Sequence, residues 1–342
     1  MNTTRHAYRM PKAGNLRHLQ KVEEALPAPH PHEVRIAVKA IGLNFADIFA
    51  ILGLYSATPK GSFVPGLEYA GIVIQVGAEV SNLKVGDKVM GVTRFGGYTT
   101  HLNIDQRYAV PLPQDWSFAQ GAAFPVQALT AYYALFNLGE LEAGETVLIH
   151  SAAGGVGLLA NRMAKKKGAY TIGSIGSEKK IALLKQEGYD DYIVRGKHFG
   201  QQLKETLKDR KLDLVLECIG GNVLMEGWKQ LAPQGRLVVY GSARYGDGKD
   251  KPNFLRLLWL FLTRPKIDPQ ATIQENKAVL GFNLIWLYEK AELMHQIFDK
   301  IKALQLPVPY IGHTFSFEEL PQALKLFQSG QTVGKVIVEI KD

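Results

Sequence analysis

The apolar positions of this chain change their spacing at about residue 122. Before that point they lie in short runs bounded by glycine and proline turns, a pattern typical of strands; the runs are 34–40, 70–76, 88–92 and 98–104. After it, short apolar runs alternate with helical patterns. The predicted strands there are 147–150, 170–173, 191–194, 212–218 and 236–240, with 277–282 as a candidate sixth. The predicted helices are 121–138, 158–167, 178–187, 199–209 and 222–230.

This alternation predicts an α/β fold in which helices cover both faces of a doubly wound parallel sheet. The last part of the chain adds predicted helices at 289–304 and 318–328 and a strand at 334–340. We expect it to return to the first domain. The prediction is a discontinuous β-rich domain of residues 1–121 and 284–342 and a nucleotide-binding domain of residues 122–283, for which 342 residues are ample.

A glycine-rich turn follows the strand predicted at 147–150 and leads directly into a helix. Such a unit directs backbone N–H groups and a helix N-terminus at one point, which favours a phosphate. The glycines allow the turn, the approach of a pyrophosphate and close packing of helix on strand. Ala152 replaces the first glycine of the usual G-x-G-x-x-G pattern, and a tight turn without a ligand is the alternative. The residues predicted to hold a pyrophosphate are Ala153, Gly154, Gly155, Val156 and Gly157.

The residues after the second strand of this domain indicate which dinucleotide binds. An NAD site carries an acidic residue there, which binds the ribose hydroxyls. Here the predicted strand ends at Gly173, Ser174 follows, and Glu178 comes only on the next helix. Lys180 and Arg195 lie nearby in the predicted topology, and cations with small hydrogen-bond donors suit a 2′-phosphate. We therefore predict NADPH as the cofactor, with a solvated cationic face as the alternative.

Composition and charge narrow the class of protein. The net charge is +8, but lysine and arginine are scattered and no nucleic-acid-binding module is recognisable, so no nucleic-acid partner is expected. No apolar run is long enough to span a bilayer, and the N-terminus lacks the apolar stretch of a secretory signal. The single cysteine, Cys218, excludes an internal disulfide and a multi-cysteine zinc lobe. These features favour the cytoplasm.

Short motifs in a fixed order cover nearly the whole chain. They are Gly42-Leu-Asn-Phe-Ala-Asp47, Gly53-Leu-Tyr55, Pro65-Gly-Leu-Glu-Tyr-Ala-Gly71, Val85-Gly-Asp-Lys-Val89, the stretches 123–132 and 151–157, Gly281-Phe-Asn-Leu284 and Val333-Gly-Lys-Val336. Through them the chain resembles the zinc-independent medium-chain dehydrogenase/reductases, specifically the quinone oxidoreductase (zeta-crystallin-like) group. Within that group it is most similar to the synaptic vesicle membrane protein branch.

The resemblance implies a GroES-like catalytic domain, a Rossmann domain and a homodimer. It implies NADPH-dependent reduction of quinones or α,β-unsaturated carbonyls. Lys180 matches a lysine that contacts the 2′-phosphate in this group, and Thr130 and Asn44 would lie near the face of the nicotinamide. Lys335, in the last motif, is a further cofactor-binding candidate. The residues that would line the nicotinamide are Gly241, Ser242, Phe282, Asn283 and Leu284.

The chain departs from its relatives at three places. Zinc-dependent relatives carry Gly-His-Glu where this chain has Gly66-Leu-Glu68, so a histidine ligand is missing and we predict no metal. Arg195 stands where many quinone reductases have a tyrosine near the 2′-phosphate, which keeps the phosphate site but changes its chemistry. Phe49 stands where several relatives have an active-site tyrosine, which leaves the quinone specificity open.

Hydride transfer requires the protein mainly to hold the acceptor near the nicotinamide and to exclude water. A donor to the acceptor oxygen helps, because negative charge develops there. Tyr55 is the candidate proton donor, since related enoyl reductases have a tyrosine near this position; packing against the substrate or loop is the alternative. Asn44 and Asp47 are further catalytic candidates that would orient the nicotinamide or the loop, and a structural turn role for Asp47 is the alternative.

The segment 254–262 has eight apolar residues in nine, interrupted only by Arg256. Three interpretations remain: a buried helix or dimer contact, which we favour, a cap over the substrate, or an exposed patch that touches a membrane surface or partner. The predicted function is an NADPH-dependent, zinc-free oxidoreductase acting on a quinone or an activated alkene. The alternative is a nucleotide-sensing binding protein, associated with a membrane or partner, with little turnover.

Overall fold

The computed structural model describes residues 3–341, which form two compact units. The antiparallel unit comprises residues 3–126, 246–252 and 308–341, and the parallel unit comprises residues 127–245 and 253–307. The strands are β1 (Thr3–Arg9), β2 (Gln20–Leu26), β3 (Glu33–Gly42), β4 (Glu68–Val76), β5 (Lys88–Val92), β6 (His101–Asp105), β7 (Ala109–Pro111), β8 (Thr146–His150), β9 (Tyr170–Ile175), β10 (Asp191–Val194), β11 (Leu212–Glu217), β12 (Leu231–Val239), β13 (Ala278–Gly281), β14 (Ile311–Ser316) and β15 (Lys335–Glu339). The helices are α1 (Phe45–Ile51), α2 (Phe118–Ala122), α3 (Pro125–Tyr132), α4 (Gly155–Lys167), α5 (Ile181–Gln186), α6 (Phe199–Leu207), α7 (Asn222–Gln230), α8 (Phe254–Leu262), α9 (Pro269–Glu275), α10 (Ala291–Ala303) and α11 (Leu320–Gln328).

The antiparallel unit is built on a seven-stranded sheet in the order β14-β15-β3-β4-β5-β7, with β6 paired to β3. Strands β1 and β2 form a separate hairpin-like pair. Long strand β3 bonds to β15, β4 and β6 and carries buried apolar residues along most of its length. The last strand of the chain, β15, therefore lies against β3, one of the earliest.

The parallel unit has a six-stranded sheet in the order β10-β9-β8-β11-β12-β13, in which every pair is parallel. Its first strand, β8, lies in the middle, so the chain builds outward from it in both directions. In sheets of this order ligands bind beyond the carboxyl ends of the strands, where the winding direction reverses. The core packs apolar residues of the sheet against α6 and α7, with Phe199 and Trp228 both buried.

The predicted fold class is confirmed: a GroES-like β-rich part is joined to a doubly wound parallel sheet of Rossmann type. The candidate strand at 277–282 is real, since β13 pairs in parallel with β12. The single helix predicted at 121–138 is wrong. It divides into α2, α3 and a π-helical turn, Tyr133–Leu138, because Pro125 is compatible with a helix start but not with a helix interior.

The units divide the chain at different points from the predicted boundaries at 121/122 and 283/284. Residues 284–307, predicted to return to the first domain, belong to the parallel unit. There Arg162 of α4 donates a hydrogen bond from Nη1 to Pro307 O at 3.2 Å. The amphipathic period of α10 shows that it buries one face but carries no information about which sheet it packs near.

Candidate functional site

The turn between β8 and α4 provides the geometry of a phosphate cradle. Every residue of β8 is buried, and Ser151 begins the turn with a φ of 51°. Gly154 is the N-cap of the thirteen-residue helix α4, whose first turn holds no acidic residue, and no side chain among the described residues caps this end. The first N–H groups of a helix have no intrahelical partner and carry its positive dipole. The segment 153–157 is therefore suited to bind an anion.

Gly157 allows α4 to pack directly on the turn. A Cβ at this position would lie 2.7 Å from both Ala152 Cα and Ser151 O, which leaves no room for a side chain. Tyr189 fixes the same place by donating its O–H to Gly157 O at 2.8 Å. At Gly154 a Cβ would be 3.2 Å from its nearest neighbour, Ser151 O. Gly157 thus serves packing, as the third glycine of such motifs does.

Ser174 and Arg195 meet where β9 and β10 end. Ser174 lies within β9 and is fully buried, rather than following the strand as predicted. Arg195 donates from Nη1 to Ser174 O at 2.8 Å and to Ser174 Oγ at 2.9 Å. Lys180 closes the 3₁₀ turn after β9, and burial, together with the positive charge of Arg195, lowers its pKa. Two cations held this close gain stability from a bound anion, and Glu178 in the same turn is exposed.

His150 and Glu217 form a buried pair behind these cations. His150, the last residue of β8, lies with Nδ1 2.9 Å from Ser174 Oγ and with Nε2 3.3 Å from Glu217 Oε2. Burial lowers the pKa of His150 to about 3, so the imidazole is neutral at physiological pH. Glu217 Oε1 accepts hydrogen bonds from the N–H groups of Ile219 and Gly220, while burial raises the pKa of its carboxyl.

Aromatic rings gather around Phe282, one of the residues predicted to line the nicotinamide. Its N–H donates to Val239 O at 3.2 Å, which extends the β12–β13 edge by one residue. Its ring centroid lies 4.9 Å from that of Tyr133 and 6.2 Å from that of Tyr240. Asn283 is the N-cap of the 3₁₀ turn that begins at Leu284.

The other predicted nicotinamide residues of the parallel unit are small. A Cβ on Gly241 would lie 3.0 Å from Cys218 Cβ, so the glycine keeps this crossing between β11 and β12 tight. Ser242 follows it and accepts the Tyr245 N–H at 3.2 Å. Thr130 is buried in α3. Because Gly241, Ser242 and Phe282 follow the ends of β12 and β13, they share the carboxyl edge with the cradle.

In the antiparallel unit, Asn44 and Asp47 begin helix α1. Asp47 Oδ2 accepts the Asn44 N–H at 2.8 Å and the Tyr98 O–H at 2.9 Å, an arrangement in which the third helical residue caps the start. Asp47 is fully buried, and burial raises the pKa of its carboxyl to about 7 despite both hydrogen bonds and the charge of Lys335. Its Oδ1 has no hydrogen-bond partner within residues 3–341.

Glu68 and Lys335 form a buried ion pair beside this helix start. Lys335 Nζ lies 2.5 Å from Glu68 Oε1 and donates to Leu43 O at 2.6 Å and to Asn44 Oδ1 at 3.0 Å. Asn44 Nδ2 donates to the same Glu68 oxygen at 2.9 Å. Burial lowers the pKa of Lys335, whose three N–H groups all face protein acceptors. Its role as a cofactor-binding residue stays a prediction, and its observed contacts orient Asn44.

Tyr55, the predicted proton donor, lies in the turn that follows α1. Its carbonyl accepts the Thr58 N–H at 3.0 Å and the Thr58 hydroxyl at 2.7 Å, and its side chain is partly exposed. The backbone of this turn is therefore fixed by Thr58. The catalytic role of Tyr55 stays a prediction.

Sequence reasoning singled out the turn at 153–157 and the cations Lys180 and Arg195, whose role stays a prediction, but missed four buried polar residues close to the candidate sites. His150 and Glu217 each end an apolar strand, and Glu68 begins one. Tyr98 lies in a loop between strands. A charged or ionisable residue at the end of an otherwise apolar run was the available signal, because such a residue is rarely buried without a partner.

The described part of the chain contains no group of three or more histidine, cysteine, aspartate and glutamate side chains arranged to hold a metal ion. Leu67, at the position where zinc-dependent relatives carry histidine, is buried. Within residues 3–341 no helix combines the length and apolar character needed to cross a membrane.

Two family descriptions match the chain. "Alcohol dehydrogenase GroES-like domain" matches residues 30–114, and "Zinc-binding dehydrogenase" matches residues 155–285. The human synaptic vesicle membrane protein VAT-1 homolog is 33% identical over 94% of this chain and 82% of its own length. The zebrafish (Danio rerio) homolog is 32% identical over 93% of this chain, which spans 66% of that relative.

Solved structures of similar proteins have the same fold. The human VAT-1 homolog-like protein superposes with a TM-score of 0.85 at 26% identity, covering 99% of both chains. A quinone oxidoreductase of Pseudomonas syringae pv. Tomato gives 0.84 at 27% identity, covering 99% of this chain and 100% of the other. A mycobacterial protein complexed with NADPH gives 0.84 at 25% identity, with coverages of 98% and 99%. The chain belongs to the medium-chain dehydrogenase/reductase family of oxidoreductases, close to the VAT-1 homologues and the quinone oxidoreductases.

Proposed function

We propose that this oxidoreductase uses NADPH to reduce a quinone or an α,β-unsaturated carbonyl without a metal ion. One observation carries the proposal: an anion-binding helix start at 153–157 shares a sheet edge with the cation pair Lys180 and Arg195. A pyrophosphate fits the first feature and a 2′-phosphate the second. The relatives named for quinone oxidoreductase activity and for an NADPH complex support the same assignment.

The protein's task in this reaction is to bind, orient and exclude water, since NADPH supplies the hydride when bound. Backbone N–H groups of the α4 start would hold the pyrophosphate. The rings around Phe282 form an apolar wall suited to a flat nicotinamide or acceptor. In the antiparallel unit the Glu68–Lys335 pair fixes the Asn44 amide. We propose Tyr55 as the donor to the acceptor oxygen.

Cofactor choice is tested by fluorescence titration with NADPH and NADH. We expect NADPH to bind at least about tenfold more tightly, the factor that corresponds to one charge-assisted hydrogen bond. Arg195→Gln should remove most of this preference. Lys204→Gln, which removes one exposed positive charge from α6, is the matched control and should keep it. Tighter binding of NADH to the unaltered protein would overturn the assignment.

Turnover is tested by following NADPH absorbance with a panel of quinones and enones. We expect oxidation with at least one acceptor, and Tyr55→Phe should slow hydride transfer with that acceptor. If the rate is unchanged for several acceptors, Tyr55 only packs in its loop. Tight cofactor binding with no turnover on any acceptor would instead favour the nucleotide-sensing alternative.

We also propose that the chain forms a homodimer through α8 and the outer edge of β13. Six large apolar side chains of α8 are more than half exposed, which amounts to roughly 800 Å² and is the size of one side of a standard interface. β13 pairs only with β12 among the described strands, so its other edge offers free backbone groups to a second copy. The exposed side chains are Phe254, Leu255, Leu258, Trp259, Phe261 and Leu262.

The test is the mass of the protein in solution by light scattering. We expect a dimer, and replacement of Leu255 and Trp259 by aspartate should give a monomer that still binds NADPH. A monomer in the unaltered protein contradicts the proposal. If that monomer binds anionic vesicles, the α8 surface serves peripheral membrane contact instead. A cytoplasmic location remains a prediction.

A further inference from the structure

Four polar side chains lie end to end across the carboxyl edge of the parallel sheet. Arg195 Nη1 lies 2.9 Å from Ser174 Oγ, Ser174 Oγ lies 2.9 Å from His150 Nδ1, and His150 Nε2 lies 3.3 Å from Glu217 Oε2. Ser174, His150 and Glu217 are each 0% exposed. The line therefore runs from a buried carboxylate through two neutral groups to a cation at the surface.

One proton arrangement fits these contacts, in which His150 Nε2 and Glu217 Oε2 approach each other as a charge contact rather than a hydrogen bond. A guanidinium can only donate, so Ser174 Oγ accepts from Arg195. The serine proton is then free for His150 Nδ1, and the imidazole carries its own proton on Nε2, which faces the Glu217 carboxylate. The opposite tautomer would direct an unprotonated Nε2 at that carboxylate, with no proton between the two acceptors. Glu217 thus selects the tautomer that orients the serine hydroxyl.

The outer end of this line faces the place where a ribose phosphate would bind. Arg195 Nη1 is occupied by the carbonyl and hydroxyl of Ser174. A Cβ on Gly176 would lie 3.4 Å from Arg195 Nη2, so this nitrogen lies beside the exposed turn that follows β9. Lys180 lies within electrostatic reach of the same guanidinium. Fixing Nη1 therefore fixes the direction in which the remaining N–H groups point.

We propose that His150 and Glu217 are positioning residues for cofactor specificity, which through Ser174 hold the Arg195 guanidinium ready for a phosphate on the ribose 2′ oxygen. The inference rests on the proposed function, and it deepens it by assigning roles to two residues that touch no ligand. Holding a long, flexible side chain in its binding geometry before the ligand arrives reduces the entropy lost on binding.

Simple filling of the core does not explain the arrangement. His150 follows the apolar residues Val147, Leu148 and Ile149 of β8, all fully buried. An apolar side chain there would avoid the desolvation of an imidazole and a carboxylate, which is costly unless both are well partnered. The polar groups are instead aligned on the single cation that reaches the surface.

The experiment compares two ligands that differ only in the 2′-phosphate: adenosine 2′,5′-bisphosphate and adenosine 5′-monophosphate. Their affinities for the full chain are measured by calorimetry. The unaltered protein should bind the bisphosphate at least about tenfold more tightly. Ser174→Ala should reduce this ratio about tenfold, to near one, while affinity for the monophosphate stays within about twofold.

Two substitutions of His150 separate positioning from packing. Asparagine places a polar atom near the position of Nδ1, and glutamine places one near Nε2, because their side chains differ by one methylene. His150→Asn should therefore preserve the contact with Ser174 and most of the ratio. His150→Gln should lose that contact and reduce the ratio about as much as Ser174→Ala. Thermal unfolding monitors the fold of each variant, and Ser174→Ala alone decides if both histidine variants fail to fold.

The outcomes are distinct. An unaltered protein with no preference for the bisphosphate overturns both the NADPH assignment and this inference. A preference that persists in Ser174→Ala and His150→Gln overturns the inference and leaves the NADPH assignment intact. Equal loss of affinity for both ligands would mean that the residues only support the fold, which also contradicts the positioning role.

Discussion

Replacing Asp47 by asparagine should change how the stability of the protein depends on pH. Burial raises the pKa of this carboxyl from 3.8 to about 7 in the folded protein. Between pH 3.8 and about pH 7 the folded chain holds the proton and the unfolded chain does not. The contribution of this carboxyl to stability is therefore greatest below pH 3.8 and is lost as the pH rises through about 7. A shift of roughly three units corresponds to about 4 kcal/mol. Asparagine keeps an oxygen for the Asn44 and Tyr98 hydrogen bonds but cannot ionise.

The assay is urea unfolding of both proteins, followed by far-ultraviolet circular dichroism between about pH 4 and about pH 8. The free energy of unfolding of Asp47→Asn, minus that of the unaltered protein, should rise by up to about 4 kcal/mol across this range. Asp105→Asn is the control: the hydrogen bond from Arg107 lowers the pKa of Asp105, so its proton-linked change in stability falls below this pH range and its difference should stay flat. A difference for Asp47 that is flat, or that falls as pH rises, would refute the reasoning.

Two further sets of substitutions test the glycine turn of the parallel unit and the buried ion pair of the antiparallel unit. Gly157→Ala should lower the free energy of unfolding by about 1–3 kcal/mol, because its Cβ would overlap the backbone of the turn. Gly154→Ala should instead lower cofactor affinity more than stability. Denaturation measures the first effect and NADPH titration the second. Glu68→Gln or Lys335→Met alone should each destabilise by about 3–5 kcal/mol, and the pair Glu68→Leu with Lys335→Met should recover at least half of that loss. If thermal unfolding shows no recovery of stability in the double variant, the ion pair has a net stabilising role.

The regular features of this molecule follow from local patterns. The parallel sheet was predictable because its central strands, such as the fully buried β8, are nearly continuous apolar runs, and the partly exposed edge strand at 191–194 was also placed at its true bounds. β1 and β2 were missed because many of their side chains are exposed and charged, so no apolar alternation distinguishes them. β12 was placed to start too late, since Pro233 and Gly235 interrupt its pattern.

The candidate site likewise combines features that local sequence defines with contacts between distant strands. The turn at 153–157 could be recognised because local sequence defines it, and Lys180 and Arg195 could be singled out because each follows the end of a predicted strand. The contacts of His150 with Ser174 and Glu217 join three strands far apart in the chain, and only the parallel register brings them together. Sequence spacing also placed Ser174 after its strand, which suggested a ligand contact, whereas the strand continues to Ile175 and buries the hydroxyl.

The ion pair between Glu68 and Lys335 has a consequence for synthesis on the ribosome. Translation delivers the glutamate early, in β4, and its counter-ion much later, in β15. Until Lys335 has left the exit tunnel, the nascent first sheet lacks the partner that makes its buried carboxylate tolerable. A messenger cut short before residue 335 should therefore yield a product that chaperones retain and proteases remove.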